Sequence, residues 1–186
     1  MPNYRRVWIK GSTLFITIVT YDRKPILLNP RSRKILSIAW KSVAKRHPFT
    51  TDAICLLPNH IHALITLPEH DLNYSIRIRE IKRLFTKRYI EHYGEKSQRN
   101  FSHIHKKEAT IWQRRFYEHT IRDDLDYQNH FDYIHYNPAH HGLVNNVSSW
   151  KWSTFHRYVR LGVYEPNWGE NFTEDDSTDY GEPNLS

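Results

Sequence analysis

The sequence predicts an α+β fold in which helices pack on one face of an antiparallel sheet. Runs of β-branched and aromatic residues alternate with segments in which apolar residues recur at helical spacing. Two of the strand-like runs, 52–57 and 60–67, are separated only by Pro58 and Asn59, which is the spacing of a tight hairpin. The resulting order of elements, β-α-β-β-α, is typical of helices layered on a sheet.

Each element in the first two thirds of the chain follows from a local pattern. Residues 14–21 (LFITIVTY) are β-branched and aromatic and come after Gly11, so we expect them to form the first strand. The hairpin supplies two more strands, and residues 112–120 are expected to form a short fourth one. Apolar residues three and four positions apart predict helices over 30–47 and 73–93.

The last third of the chain is expected to be largely helical. Asp123 or Asp124 is a suitable N-cap for a helix that runs to Asn137. Pro138 disfavours continuation of that helix, and Gly142 is suited to its C-terminal turn. A final short helix is expected over 150–160.

The positive charge is concentrated in the body of the chain. The 186 residues carry 27 Lys and Arg against 20 Asp and Glu, a net charge of +7. Seven of the acids follow residue 164, where there is no base, so residues 1–164 carry 27 bases against 13 acids. A basic body with 26 aromatic side chains favours a nucleic-acid partner. We therefore expect one domain over 1–165 and an acidic, flexible tail over 166–186.

Several classes of protein are excluded by composition. No apolar run approaches the roughly 20 residues needed to span a bilayer, and the first residues lack the apolar stretch of a signal peptide. The single cysteine, Cys55, excludes an intramolecular disulfide and a cysteine-rich zinc site. We expect a cytoplasmic, nucleoid-associated protein.

The sharpest local signal is the sequence His60-Ile61-His62 on a predicted strand. Side chains alternate between the two faces of a strand, so the two histidines share one face. Ile61 and the apolar residues at 63, 65 and 67 then face a core. Two imidazoles one pleat apart can hold one divalent cation. The alternative is a pair of histidines on a solvated face.

A second signal lies in the helix that ends at Asn137. Tyr127, Phe131 and Ile134 share the face expected to contact the core. Tyr133 and Asn137 are four residues apart and share an adjacent face, with His130 beside them. The alternative is a tyrosine at the boundary of the core with a solvated hydroxyl.

Together, these two elements suggest phosphodiester chemistry. A tyrosine can act as a covalent nucleophile. A metal ion held by two histidines and an amide oxygen can polarise a phosphodiester and neutralise the charge that develops on it. A basic surface would hold the polyanion. No carboxylate pair or phosphate-binding glycine loop suggests a different site.

Several segments, in order and with comparable spacing, resemble the REP-associated branch of the single-tyrosine transposases. Residues 57–65 (LPNHIHALI) contain the His-hydrophobic-His pattern called the HUH motif. The other segments that carry the resemblance are 4–11, 112–119 (WQRRFYEH), 132–138 (DYIHYNP), 141–144 (HGLV) and 152–157 (WSTFHR). The resemblance covers about residues 3–168.

The resemblance implies a ferredoxin-like HUH fold and a metal-dependent tyrosine nuclease. Tyr133 would attack a phosphodiester of single-stranded DNA, giving a 5′-phosphotyrosine link and a free 3′-OH. His60, His62 and Asn137 would bind Mg²⁺ or Mn²⁺, and an amide oxygen suits such hard cations. Imidazole pairs also accept other divalent metals, so the metal identity rests on the resemblance.

The resemblance also implies a DNA partner, a REP-type hairpin with a short flanking tetranucleotide, bound by a monomer. The residues that would contact DNA are Tyr4, Arg5, Arg6, Arg79, Lys82, Arg83, Trp112, Arg114 and His119. For the helix charges, a solvated face is an equal alternative. Trp112 and His119 could instead belong to the core.

Other functions remain open from the sequence. A protein of the same fold could bind DNA or RNA hairpins after losing catalysis. The acidic tail could mimic DNA and shield the basic cleft. Truncation at Gly169 would then change cleavage and affinity.

Overall fold

The computed structural model describes residues 9–94 and 110–170, together with Tyr180. Four strands are formed by Thr13–Val19 (β1), Thr50–Leu56 (β2), His60–Thr66 (β3) and Tyr117–Thr120 (β4). Four α-helices are formed by Pro30–Arg46 (α1), Tyr74–Tyr93 (α2), Asp124–His140 (α3) and Phe155–Arg160 (α4). Short 3₁₀ turns lie at Tyr21–Arg23 and Val147–Ser149.

The four strands form one antiparallel sheet in the order β2-β3-β1-β4. This confirms the predicted α+β class and the hairpin, whose strands pair with Leu56 opposite Ile61. Strand β3 is central, with β1 and β2 as its neighbours. Thr17 of β1 lies directly opposite His62 of β3. None of the helices in the described ranges is long and apolar enough to cross a membrane.

Helices cover both faces of the sheet, so the expectation of helices on one face is wrong. On one face, Ile16, Ile61 and neighbouring apolar side chains form a core with α1 and α2. On the other face, Phe15 and Leu64 form a second core with α3 and α4. The reason is visible in β3, where every residue from His60 to Ile65 is buried. Two-sided burial requires a second helical layer.

Three predicted boundaries differ from the structure by three residues or more. One is the final helix, expected over 150–160, which begins only at Phe155. Helix α3 continues through Pro138 to His140, because a proline in the last turn interrupts little of the hydrogen-bond ladder. Gly142 ends the helix, as predicted, in the left-handed region at a φ of +63°. Strand β4 begins at Tyr117, so only the second half of the expected strand 112–120 is extended, although Thr20 and Trp112 form an isolated bridge.

Candidate functional site

His60 and His62 lie side by side on the face of the sheet that α3 covers. Their ring centroids are 4.8 Å apart. Both side chains are buried, which excludes the alternative of a solvated histidine face. Ile61 and Ala63 point into the opposite core, as the strand alternation predicted. The central strand therefore presents two imidazoles from a rigid backbone.

Hydrogen bonds fix the tautomer of both rings. Nδ1 of His62 lies 2.9 Å from the Thr17 hydroxyl oxygen. That hydroxyl donates its only hydrogen to the Tyr180 carbonyl at 3.1 Å, so it must accept from the histidine. Nδ1 of His60 donates to the Asn59 side-chain oxygen at 2.6 Å. Each ring therefore carries its lone pair on Nε2. A histidine whose Nδ1 donates such a hydrogen bond can bind a metal ion through Nε2.

Helix α3 brings Tyr133 next to His62 and carries Asn137 one turn further along. Asp123 caps the helix by accepting from the Asp126 amide, and Phe131 and Ile134 pack into the second core. Tyr133 is buried, and its ring centroid lies 5.4 Å from that of His62. Asn137, one turn later, is also buried. The donor set of two imidazoles and an amide oxygen suits a divalent metal ion next to a phenol.

The structure adds His141, which was not among the predicted site residues. Its ring centroid lies 5.2 Å from that of His60, and the neighbouring His140 ring lies 6.3 Å from Tyr133. Both histidines sit at the end of α3, beyond the predicted end of the helix. The sequence would have placed these two histidines near the site only if the predicted helix had continued through Pro138.

Tyr180 covers Tyr133. The two rings are parallel, within 3°, with centroids 3.6 Å apart. The Tyr180 side chain is buried, and its carbonyl accepts the hydrogen bond from Thr17. The alternative of a tyrosine at the core boundary with a solvated hydroxyl does not fit this structure, because Tyr133 is buried and a residue 47 positions later stacks on it. The remaining residues after 170 lie outside the described part of the chain.

A cluster of His119, Asp126 and His130 lies beside this site. The Asp126 carboxylate accepts from His119 Nε2 at 2.8 Å and from the Arg122 side chain at 3.0 Å. Burial opposes ionisation of Asp126, but these hydrogen bonds lower its pKa to about 2. The ligand atoms of the three residues lie within 4.8 Å of one another. The guanidinium group of Arg122 already balances the carboxylate, so the cluster is better described as a hydrogen-bonded anchor between β4 and α3.

The polar residues behind α3 hold it against β2. His135 Nε2 lies 2.8 Å from the Thr154 hydroxyl, which is itself bonded to the Ile54 amide. Burial lowers the pKa of His135 to about 3, so this ring is neutral. Tyr164 donates to Asp132, the residue before Tyr133. This network fixes the orientation of the helix that carries the phenol.

Three of the predicted DNA-binding residues line one cavity. Arg79, Lys82 and Arg114 surround about 300 Å³, together with Phe116 and Ser75. The remaining predicted residues are dispersed. Arg83 forms an ion pair with Glu80 at 2.8 Å. His119 belongs to the Asp126 cluster.

Trp112 and the first residues complete the predicted DNA-binding set. Trp112 is buried in the core of α1 and α2, with its ring 5.0 Å from that of Phe85, which is the core role left open by the sequence. Tyr4, Arg5 and Arg6 lie outside the described residues. Residues 95–109 also lie outside them.

Comparison with known proteins agrees with this arrangement. Residues 9–137 match the family of IS200-like transposases. An Escherichia coli K12 protein named "REP-associated tyrosine transposase" is 41% identical over 174 residues, covering 94% of each chain. A Haemophilus influenzae protein named "Putative REP-associated tyrosine transposase" is 47% identical over 171 residues, covering 92% of this chain and 95% of the relative.

A solved structure of a REP-associated tyrosine transposase bound to a REP hairpin is similar over nearly the whole chain. It superposes with a TM-score of 0.77 at 38% identity, covering 96% of this chain and 98% of that chain. The sheet and the two histidines beside a helical tyrosine define a tyrosine transposase fold. The chain belongs to the IS200-like transposases and, within them, to the REP-associated tyrosine transposases.

Proposed function

We propose that the protein is a single-stranded DNA endonuclease and strand transferase that acts on REP-type hairpins with a flanking tetranucleotide. Tyr133 is the nucleophile, and His60, His62 and Asn137 hold Mg²⁺ or Mn²⁺. The protein acts as a monomer in the cytoplasm, at the nucleoid. The observation that carries the proposal is that the ring of His62, one of the HUH histidine pair, lies 5.4 Å between centroids from the ring of the helical Tyr133.

The proposed reaction is a transesterification. The Tyr133 hydroxyl loses its proton, and its oxygen forms a bond to phosphorus while the bond from phosphorus to the 3′ oxygen breaks. The products are a 5′-phosphotyrosine and a 3′-OH, which takes up a proton. The bound metal ion supplies charge stabilisation at the phosphate. Because Thr17 and Asn59 accept from the Nδ1 atoms, His60 and His62 present Nε2 to that ion.

The charged surface supports a polyanionic substrate. Arg79, Lys82 and Arg114 line one cavity, where their cations can bind phosphates and Phe116 can contact a base. We extend the DNA contacts to Tyr4, Arg5, Arg6 and Arg83 from the family resemblance, but not to Trp112, which lies in the core, or to His119, which binds Asp126. The relative bound to a REP hairpin supports the choice of hairpin DNA.

A second candidate is a hairpin-binding protein without catalysis. The observation in its favour is that Tyr180 stacks on Tyr133 and covers it. Such a protein would shift hairpin DNA or RNA in a native gel without forming a covalent adduct.

A covalent-adduct gel distinguishes the two candidates. Labelled single-stranded REP-type hairpins are incubated with the protein and Mg²⁺ or Mn²⁺ and run under denaturing conditions. We expect a slow band with the wild type and none with Tyr133→Phe, while both bind the hairpin. Tyr136→Phe is the matched control, since Tyr136 lies on another face of α3 and contacts Trp168. Loss of the band in Tyr136→Phe instead would refute the assignment of Tyr133.

A further inference from the structure

The Tyr180 ring fills a narrow space between aromatic side chains on the face that carries the histidine pair. We call the space bounded by Phe15, His130 and Tyr133 the aromatic slot. Tyr133 stacks flat on the occupying ring, with centroids 3.6 Å apart. Phe15 and His130 meet it edge to face, at 6.0 Å and 5.2 Å. The slot therefore accepts a flat aromatic ring at stacking distance.

One wall of the aromatic slot carries an unsatisfied hydrogen-bond acceptor. Nδ1 of His130 donates to the Asp126 carbonyl at 2.8 Å, so the lone pair is on Nε2, across the ring. Burial lowers the pKa of His130, which keeps the ring neutral. Nε2 is buried and has no hydrogen-bond partner in the part of the chain that the structure describes. Buried acceptors normally have a donor, so a ligand with an N–H group would complete this site.

The contacts that hold His130 in place make it suited to recognise a ligand through a fixed hydrogen-bond acceptor. Its ring is not exposed at all and stacks on His119, with centroids 4.6 Å apart. Asp126 binds both histidines, since its Oδ1 also lies 3.1 Å from His130 Nδ1. A ring held in this way keeps Nε2 in a fixed position.

We propose that the aromatic slot is a nucleobase subsite for the strand being cleaved. A base next to the scissile phosphate stacks on Tyr133 and donates an exocyclic amino hydrogen to His130 Nε2. This inference rests on the proposed function, because it requires single-stranded DNA to reach Tyr133. Adenine, cytosine and guanine carry such an amino group. Thymine lacks one and would place carbonyl oxygens near the lone pair, so the subsite discriminates against it. Tyr180 and the base compete for the same space.

Abasic scanning of the substrate tests the stacking. The full chain carries Tyr133→Phe, which keeps the ring and removes the attacking hydroxyl. Hairpin oligonucleotides with one abasic nucleotide at each flanking position are titrated by fluorescence anisotropy. We expect one position at which affinity falls about tenfold, as for loss of a base stacked on an aromatic ring. In Tyr133→Ala, an abasic nucleotide at this position should weaken binding no more than one at any other flanking position.

A base series at that position tests the hydrogen bond. Replacing the base by thymine, or by the analogue that lacks the amino group, should weaken binding several-fold. In His130→Phe, the affinity difference between bases with and without the amino group should vanish. If this variant fails to fold, the comparison of the base with its analogue in the protein that retains His130 still tests the hydrogen bond. Equal binding of all four bases would overturn the role of His130.

The outcomes separate this inference from the proposed function. Hairpin binding with no sensitive flanking position would overturn the subsite and leave the proposed function standing. Failure of Tyr133→Phe and the wild type to bind any hairpin would overturn both. Adding Tyr180→Ala should enlarge the loss of affinity that the abasic nucleotide causes at the sensitive position. An unchanged loss would show that the base and Tyr180 do not share the slot.

Discussion

In the proposed reaction, the Tyr180 ring has to leave Tyr133, on which it stacks, before a phosphodiester can reach the phenol. It contacts three rings, those of Tyr133, Phe15 and His130. An aromatic pair contributes about 0.5–1.5 kcal/mol beyond its buried area. The flat stack on Tyr133, with ring centroids 3.6 Å apart, is the closest of the three. Counting this stack alone, we assign it roughly 1.4 kcal/mol, which lies within the range for one pair and corresponds to about a tenfold change in an equilibrium.

We therefore expect Tyr180→Ala to cleave hairpin DNA about tenfold faster than the wild type. The assay is the initial rate of covalent-adduct formation at DNA concentrations below saturation. Tyr180→Phe is the matched control, since it keeps the ring and should retain the wild-type rate. Equal rates for Tyr180→Ala and the wild type would refute the reasoning. Equal acceleration by Tyr180→Phe would show that the hydroxyl, and not the ring, provides the cover.

Three further predictions concern the metal ligands, the pH dependence of stability and the cation-lined cavity. Thr17→Val removes the acceptor of the His62 Nδ1 hydrogen and should raise the metal concentration for half-maximal cleavage about tenfold. Thr13→Val removes a comparable cross-strand hydroxyl away from the site and should leave this concentration unchanged. Asp126 has its pKa lowered to about 2, so its stabilising effect is complete above pH 4 and is lost as the pH falls toward 2. Asp126→Asn should remove that part of the acid dependence measured by thermal unfolding, and an unchanged profile would contradict the anchor role. Arg79→Ala should weaken hairpin binding and reduce the slope of log affinity against log salt by about one, whereas an unchanged slope would count against a phosphate contact at Arg79.

The sequence predicted the parts of the site that depend on local periodicity. Alternation along β3 placed His60 and His62 together, and helical spacing placed Tyr133 and Asn137 together. Both pairings are found in the structure because a period of two or four residues is set by the backbone. The bounds of α1 and α2, which were predicted from apolar spacing, were correct to within one residue, and in the structure Asn29 and Asn73 cap these helices.

The sequence did not predict that the candidate site is buried. The order of the elements suggested helices on one face of the sheet only, and the histidine pair on β3 left a solvated face open as an alternative. Burial of His60 and His62 depends on α3, which follows them by about sixty residues. The cover by Tyr180 is a contact of the same long range, and it comes from a segment whose acidic composition suggested solvent. Neither periodicity nor composition carries information on such pairings.

The strand that supplies the histidine pair also supplies apolar side chains to the opposite core. His60 and His62 serve one layer, while Ile61 and Ala63 serve the other. Inserting or deleting one residue in β3 would exchange the two sets, placing imidazoles among the aliphatic side chains of α1 and α2. The fold and the candidate site therefore both depend on which residues of this strand face each side of the sheet. Point substitutions can alter the site gradually, but a change of chain length within β3 would remove fold and site in a single step.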